Sequence, residues 1–196
     1  MPAGALVVVL ILLAGQSGVY TPDSAPPDLK PAVERADQAF ARLRTAVFGE
    51  LSKALGEGGP LNAISVCHQA ASRITDEVRR TEGFAMGRTS HRLRNRNNQP
   101  PPWAAAHVER AAAIPMSEVQ PLVVDLGDRV GVMRPMPTLG LCVNCHGPET
   151  QIAPDVQETI AALYPGDRAT GFREGDLRGW MWAEVPKVTS PKPQAP

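Results

Sequence analysis

The chain has 196 residues, with 20 Lys and Arg against 20 Asp and Glu, 43% hydrophobic residues and three cysteines. A formal charge of +0 gives no overall attraction to nucleic acid or acidic lipid, and the supply of apolar residues argues against wholesale disorder. The odd cysteine count excludes a framework held by disulfides alone, so at least one sulfur needs another role.

Residues 1–18 predict an export signal or an N-terminal anchor. An uncharged apolar run from Ala3 to Ala14 is followed by small residues, which is typical of a secretory signal. The run is shorter than the roughly 20 residues that span a bilayer, although a retained segment would anchor the chain to a membrane. Residues 19–27 predict a linker. We therefore expect a periplasmic or exported protein, with membrane anchoring only through this segment.

Residues 28–184 predict one folded domain, and residues 185–196 a disordered, proline-rich tail. Apolar residues at spacings of three and four predict a long amphipathic helix that begins near Pro31 and stops before Gly56. A second helix is predicted to begin at Pro60, because proline loses no hydrogen bond in a first helical turn. Its apolar face includes Cys67, which is therefore expected to point inward.

The second half of the chain predicts a short helix and an antiparallel sheet. Composition favours a helix over Pro102–Ala111. Leu122–Leu126 and Val130–Met133, separated by a three-residue turn, predict a β-hairpin. A last strand is predicted over Leu177–Val185, with both of its tryptophans on one face. Helices followed by a small antiparallel sheet indicate an α+β fold.

The sharpest chemical signal is the run Cys142-Val143-Asn144-Cys145-His146, which matches the C-x-x-C-H attachment signature of c-type haem. The chemistry needs this spacing, because two thiols must reach the two vinyl groups on one edge of the porphyrin while the next residue places an imidazole on the iron. Covalent attachment takes place across the membrane, in agreement with the predicted export. The predicted cofactor is one covalent haem c per chain, and His146 is its predicted proximal ligand.

Three other interpretations of these five residues stay open. A thioredoxin-like redox pair requires the two cysteines at the start of a helix that follows a strand, and Pro137–Gly140 does not predict a strand. A structural zinc site requires four ligands, and no second Cys/His pair occurs at close spacing. The simplest alternative is a disulfide between Cys142 and Cys145.

The ligand in the sixth position of the iron decides the function of a haem protein. A filled position suits electron transfer or redox sensing, and an open one suits gas binding or peroxide chemistry. A thiolate is a strong donor to iron, but most free cysteines are small buried hydrophobes, so the residues alone leave Cys67 between these two roles. The candidate donors are Cys67, His68, His91, His107, Met116, Met133 and Met136.

Four arginines follow Gly87 with no acidic residue between them, and these are Arg88, Arg92, Arg94 and Arg96. Guanidinium groups suit the two haem propionates, and we prefer Arg88 and Arg94 because each adjoins a small polar residue. The alternative is a solvated loop whose arginines face water. Further along, the Gly and Asp spacing from Tyr164 to Trp180 predicts tight turns that lead into a strand, rather than catalytic carboxylates.

These segments together resemble the PAS-like c-type haem domain family, which occurs as free exported proteins and as input modules of bacterial sensor kinases. The matching pieces are Ala63–Cys67, Gly87–Ser90, Leu93–Asn95, Leu141–Gly147 and Tyr164–Gly179. They cover residues 61–180 approximately and keep their order. The chain departs from the family at one position, because Arg96 occupies a position where the family usually has proline.

The resemblance implies a PAS-like antiparallel sheet flanked by N-terminal helices. It also implies haem c on Cys142 and Cys145, with His146 and Cys67 as axial ligands. The expected function is that of an exported, six-coordinate haem protein in one-electron transfer or in sensing of redox state or a diatomic gas. Its redox or signalling partner is unknown. The alternatives are a peroxidase-like haem enzyme with a labile sixth ligand and a haem-free thiol-disulfide protein.

Overall fold

The structure is a computed structural model that describes residues 18–187, so the predicted export signal and residues 188–196 of the predicted tail lie outside the described residues. It has an α+β fold with one antiparallel sheet, as predicted. The helices are α1 (Lys30–Ser65), α2 (Ala71–Glu82), α3 (Pro102–Ala111), α4 (Val143–His146) and α5 (Pro154–Leu163). The strands are β1 (Val19–Tyr20), β2 (Ala85–Thr89), β3 (Leu122–Asp125), β4 (Arg129–Pro137) and β5 (Leu177–Pro186), in the spatial order β1-β3-β4-β5-β2.

Helix α1 is interrupted near its C-terminal end. Gly58 (φ −153°, ψ 19°) and Gly59 (φ 66°, ψ −161°) leave the helical conformation, and the positive φ of Gly59 is one that glycine adopts without strain. Pro60 then restarts the helix, because its missing N–H is not needed in a first turn. The predicted start at Pro60 is confirmed, and the first helix runs slightly beyond the predicted stop before Gly56.

A π-helical turn over Val66–Ala70 follows α1 and was not predicted. A π-turn contains an extra residue relative to the α-helix and occurs often at functional sites. It directs consecutive residues inward, since Val66 is buried and both Cys67 and His68 are half-buried, whereas Gln69 is exposed. Regular helical periodicity, from which the sequence prediction was made, does not reveal such an insertion.

Helices cover both faces of the sheet. Phe40 of α1 shares one hydrophobic core with Val132 and Ala183 of the sheet. Val108 of α3 shares a second core, on the opposite face, with Met133. Both tryptophans of β5 pack in this second core, as the alternation predicted. No helix in the range 18–187 has the length and apolar character needed to cross a bilayer.

The predicted hairpin is confirmed, with a longer second strand. β3 pairs with β4 from Leu122 opposite Met133 to Asp125 opposite Val130. β4 continues to Pro137 because it also pairs with β5. Its prolines are tolerated there because β3 has ended and β4 has a neighbour on one side only.

Both ends of the predicted domain extend the sheet. Val19 pairs with Val124, so β1 lies in the segment expected to be a linker. At the other end, Arg129 pairs with Pro186, two residues beyond the expected end of the domain. Strand pairing supplies partners for backbone groups that composition alone does not show to be paired.

The ladder between β4 and β5 shifts register near its end. Met136 pairs with Gly179 and Pro137 pairs with Leu177, which leaves Arg178 without a partner on β4. An extra residue of this kind forms a β-bulge, and bulges redirect a side chain and are common beside active sites.

Candidate haem site

The C-x-x-C-H segment lies on two short helical turns. A 3-10 turn over Gly140–Cys142 runs directly into α4. The chain leaves α4 at Gly147, whose N–H donates to the carbonyl of Val143 at 2.9 Å. A Cβ atom at Gly147 would come within 2.5 Å of that carbonyl oxygen, so glycine is required for this exit. All three cysteines are free and half-buried, and the structure therefore contains no disulfide between Cys142 and Cys145.

His146 is oriented by a backbone carbonyl. Its Nδ1 lies 2.7 Å from the carbonyl oxygen of Ala169. A proton donated from Nδ1 to this oxygen leaves Nε2 free to bind a metal, an arrangement typical of ligating histidines. Burial, assisted by the positive charges of Arg178 and Arg94, lowers the pKa of His146 well below its usual value and keeps the ring neutral.

The π-turn brings Cys67 beside the other two cysteines. Burial is the main cause that raises the pKa of Cys142 and Cys145, and Cys67 lies close enough to contribute to the rise at both. Burial also raises the pKa of Tyr164 to about 12, and Cys67 is the next contributor. Cys67 is half-buried and lies within electrostatic range of the two cysteines, and its role as a ligand stays a prediction.

Four of the other candidate donors lie in the hydrophobic cores. Met133 is fully buried in the core on the α3 face, and Met116 packs against that core. The ring of His107 packs edge-on against Trp180 of the same core, with 4.8 Å between ring centroids. Met136 packs against the core on the α1 face.

Two histidines lie closer to the cysteines. The ring of His68 packs edge-on against Tyr164 at 5.1 Å, and its Nδ1 is buried with no hydrogen-bond partner among residues 18–187. The ring of His91 packs against Phe172 at 5.7 Å, and Phe172 in turn packs against His146 at 6.4 Å. His68 thus adjoins Cys67 on the π-turn, and His91 lies on the His146 side of the site.

Arg88 is a half-buried cation near Cys67. Burial is the main influence on its pKa and lowers it, whereas Cys67 and Tyr164 act in the opposite direction. In the described part of the chain, no acidic side chain forms a salt bridge with Arg88. The site therefore contains a positive charge without a protein counterion.

Arg94, in contrast, is already paired. Its Nε and Nη2 donate to Oδ2 of Asp167 at 3.2 and 3.0 Å, and the two side chains are only 8% and 10% exposed. Nη2 also donates to the carbonyl of Cys145. Arg94 thus ties the turn after Tyr164 to the second cysteine, and its contact with a propionate stays a prediction.

The sequence analysis did not select Arg178, the extra residue of the β-bulge. Its Nη1 donates to Ser90 Oγ at 3.2 Å and to the carbonyl of Arg92 at 3.4 Å, and its guanidinium lies 5.1 Å from the ring centre of Phe172. Burial, followed by the charge of Arg94, lowers the pKa of Arg178 to about 10. The feature of the sequence that could have identified Arg178 is an arginine at the start of a largely apolar strand.

The geometry of the site can be compared with two alternative interpretations of the C-x-x-C-H segment, a structural zinc site and a redox-active cysteine pair. Within residues 18–187, no three His, Cys, Asp or Glu side chains are grouped so as to hold a metal ion, whereas a structural zinc site needs four ligands. Redox-active C-x-x-C pairs have a lowered thiol pKa, but the pKa of Cys142 and of Cys145 is raised. A haem iron takes four donors from the porphyrin, so two protein ligands are enough.

Comparison with known proteins agrees with the extent of the fold. A family model described as Tll0287-like matches residues 19–186. The chain belongs to the Tll0287-like family. The crystal structure of the cyanobacterial heme-protein Tll0287 is similar, with a TM-score of 0.61 and 21% sequence identity over 85% of this chain and 99% of that chain, and this likeness shows a shared fold. No curated protein matches. The Tll0287-like match includes both end strands, β1 and β5, and every candidate site residue.

Proposed function

We propose that this member of the Tll0287-like family binds one haem c through thioethers at Cys142 and Cys145, with His146 and Cys67 as axial ligands. It would then carry one electron or report redox state or a small diatomic ligand. The observation that carries the proposal is the bond between His146 Nδ1 and the Ala169 carbonyl, in a ring that directly follows Cys145 in the C-x-x-C-H segment. The description of Tll0287 as a heme-protein supports the same cofactor.

The residues present fit this cofactor. The 3-10 turn that ends at Cys142 and the one-turn helix α4 together present both cysteines and His146, and the Ala169 carbonyl holds the imidazole in the tautomer that leaves Nε2 available. Arg88 supplies a half-buried cation that suits a carboxylate. When bound, haem supplies an iron that gains and loses one electron, and a thiolate axial ligand lowers its reduction potential.

We also propose a PAS-like arrangement of the sheet and an exported location. The resemblance of the five matching segments to PAS-like haem domains supports the first. The apolar N-terminal run, outside the described residues, supports the second. We propose an unidentified redox or signalling protein as its partner.

The first test is covalent attachment. The full chain is made together with haem-attachment machinery, and denaturing electrophoresis is followed by haem staining. We expect stained haem on the wild-type chain and none on a variant with both Cys142→Ala and Cys145→Ala. An unstained wild-type chain would overturn the proposal and favour a haem-free thiol-disulfide protein.

The second test is axial ligation. Optical and EPR spectra of the ferric wild type are expected to show a low-spin, thiolate-ligated iron, and Cys67→Ser is expected to abolish the thiolate signature. Met133→Leu removes another candidate donor, buried in the core on the α3 face, and should leave the spectra unchanged. Thiolate ligation is wrong if Cys67→Ser has no spectral effect. A high-spin wild type with peroxide turnover would instead favour the peroxidase-like enzyme.

A further inference from the structure

The site has more positive charge than its own carboxylates balance. Arg94 and Arg178 lie near His146, Arg92 stacks on Phe172 beside it, and Arg88 lies near Cys67. Among residues 18–187, Asp167 is the only carboxylate that bonds any of these four arginines. That carboxylate is already paired with Arg94. Buried charges are costly unless they are paired, so a site of this kind favours an anionic ligand.

Arg92 has a supporting role in this group. Its Nη1 donates to the carbonyl of Thr170 at 2.7 Å, and its guanidinium stacks on the ring of Phe172 at 3.8 Å. The same ring lies beneath Arg178. Arg92 therefore helps to fix Phe172 and Arg178. It also bonds no carboxylate, so Arg88, Arg92 and Arg178 are the three arginines of the site without a carboxylate partner among residues 18–187, and Arg92 is the one stacked directly on an aromatic ring.

The fold presents one edge of Arg178 for binding. The β-bulge sets its side chain apart from Leu177, which packs in the core on the α3 face. Nη1 is used by Ser90 and by the carbonyl of Arg92, whereas Nε and Nη2 make no hydrogen bond among the described residues. A guanidinium held along one side offers its other two donors as a fork that matches a carboxylate.

We propose that Arg178 and Arg88 together bind the two carboxylates of a single ligand. Ser90, Arg92 and Phe172 hold the side chain of Arg178 in place for this contact. The identity of the ligand rests on the proposed function, under which the two carboxylates are the haem propionates. This assignment gives Arg178 the role that the sequence analysis expected of Arg94, which is held by Asp167.

The test compares Arg178→Gln with Arg178→Lys in the haem-loaded full chain, and Arg88→Gln is measured alongside. Arg173→Gln, which removes an exposed arginine from the loop before β5, is the matched control. The readout is the reduction potential from pH 5 to 8. Loss of the cation beside a propionate should lower the potential and make it more dependent on pH, because the propionate then titrates in this range.

We expect Arg178→Gln and Arg88→Gln to show both effects, Arg178→Lys to restore most of the potential, and Arg173→Gln to match the wild type. A wild-type potential at every pH in Arg178→Gln would overturn the assignment. So would equal effects of Arg178→Gln and Arg173→Gln, because a general surface-charge effect would explain them.

If the wild-type chain carries no haem, the proposed function fails and a different experiment tests the assignment of the arginines. The full chain is then titrated with protoporphyrin IX and with its dimethyl ester, whose carboxylates are masked. The assignment predicts that the diacid binds at least about tenfold more tightly than the ester, a ratio equivalent to about 1.4 kcal/mol. It also predicts that Arg178→Gln removes this preference. Equal binding of the two porphyrins would overturn it.

Discussion

At the scale of single residues, the C-x-x-C-H segment is positioned by groups that lie far from it in the sequence. The Ala169 carbonyl orients His146, and Arg94 joins the carbonyl of Cys145 to Asp167. None of these contacts follows from the spacing of the cysteines. The residues of the C-x-x-C-H segment are therefore oriented by other residues, which come from distant parts of the chain.

The pair between Arg94 and Asp167 predicts a large loss of stability on substitution. Arg94→Ala leaves Asp167 buried without a counterion, and removal of one partner of a buried pair costs about 3–5 kcal/mol. The measurement is urea unfolding of the haem-loaded chain. Arg73→Ala removes an exposed arginine from an ion pair with Glu77 at 3.9 Å and should change stability little. Similar losses in the two variants would contradict a special role for the buried pair.

At the scale of elements, two local irregularities place the site. The π-turn directs Cys67 and His68 inward, and the β-bulge frees Arg178 from the ladder of β4 and β5. A regular helix and a regular strand would each have directed the adjoining side chains elsewhere. The interruption of α1 at Gly58 and Gly59 has a similar effect, since it sets the direction of the helical segment that leads to the π-turn.

This interruption predicts different effects for two neighbouring glycines. No atom lies within 4 Å of a Cβ built at Gly59 or at Gly56, so the two positions differ in backbone conformation and not in space. Gly59→Ala forces a side chain into a conformation with φ 66° and ψ −161°, which costs on the order of 1–3 kcal/mol. Gly56→Ala, in the helix, should instead stabilise the protein by roughly 0.5–1 kcal/mol.

Thermal unfolding of the two variants checks this contrast. The conformational argument fails if Gly59→Ala is as stable as Gly56→Ala. A displaced Cys67 in Gly59→Ala would appear as a change in the ferric spectrum, which Gly56→Ala should not show.

At the scale of the whole molecule, the sheet separates two hydrophobic cores, and the site lies outside the core on the α3 face. A net charge of +0 conceals a group of arginines at this site, of which Arg94 is buried and the others are half-buried. The core on the α3 face also adjoins a half-buried titratable group, His107, which packs against Trp180.

His107 predicts a loss of stability at acid pH. Burial, followed by the charge of Arg110, lowers its pKa below the usual 6.5, although a backbone hydrogen bond at Gln120 opposes the shift. The unfolded chain therefore binds a proton at a pH where the folded chain does not. The contribution of neutral His107 to stability is fully present above pH 6.5 and is lost as the pH falls from there toward the folded-state pKa of this residue.

Urea unfolding of the haem-loaded wild type and of His107→Gln from pH 7.5 to 5 checks this prediction. The variant has no titrating ring, so its stability should fall less steeply below pH 6.5. Equal slopes for the two proteins would show that His107 does not contribute to the acid sensitivity.

Local patterns predicted a large part of the fold. The amphipathic spacing of α1, the restart at Pro60, the hairpin of β3 and β4 and the shared face of the two tryptophans all depend on near neighbours in the chain. The short strand β1 was missed, because it consists of Val19 and Tyr20 only and is defined by its pairing with β3.

The sequence by itself determined the C-x-x-C-H segment, the third cysteine and the concentration of arginines, because these depend on residue type and spacing within short segments. Only the tertiary structure decided that Cys67 adjoins the other two cysteines, that Arg94 is paired with Asp167 and that Arg178 enters the site. The physical reason is that charge pairing and burial are properties of groups brought together from distant segments. A π-turn and a β-bulge, which no periodicity reveals, direct two of those groups.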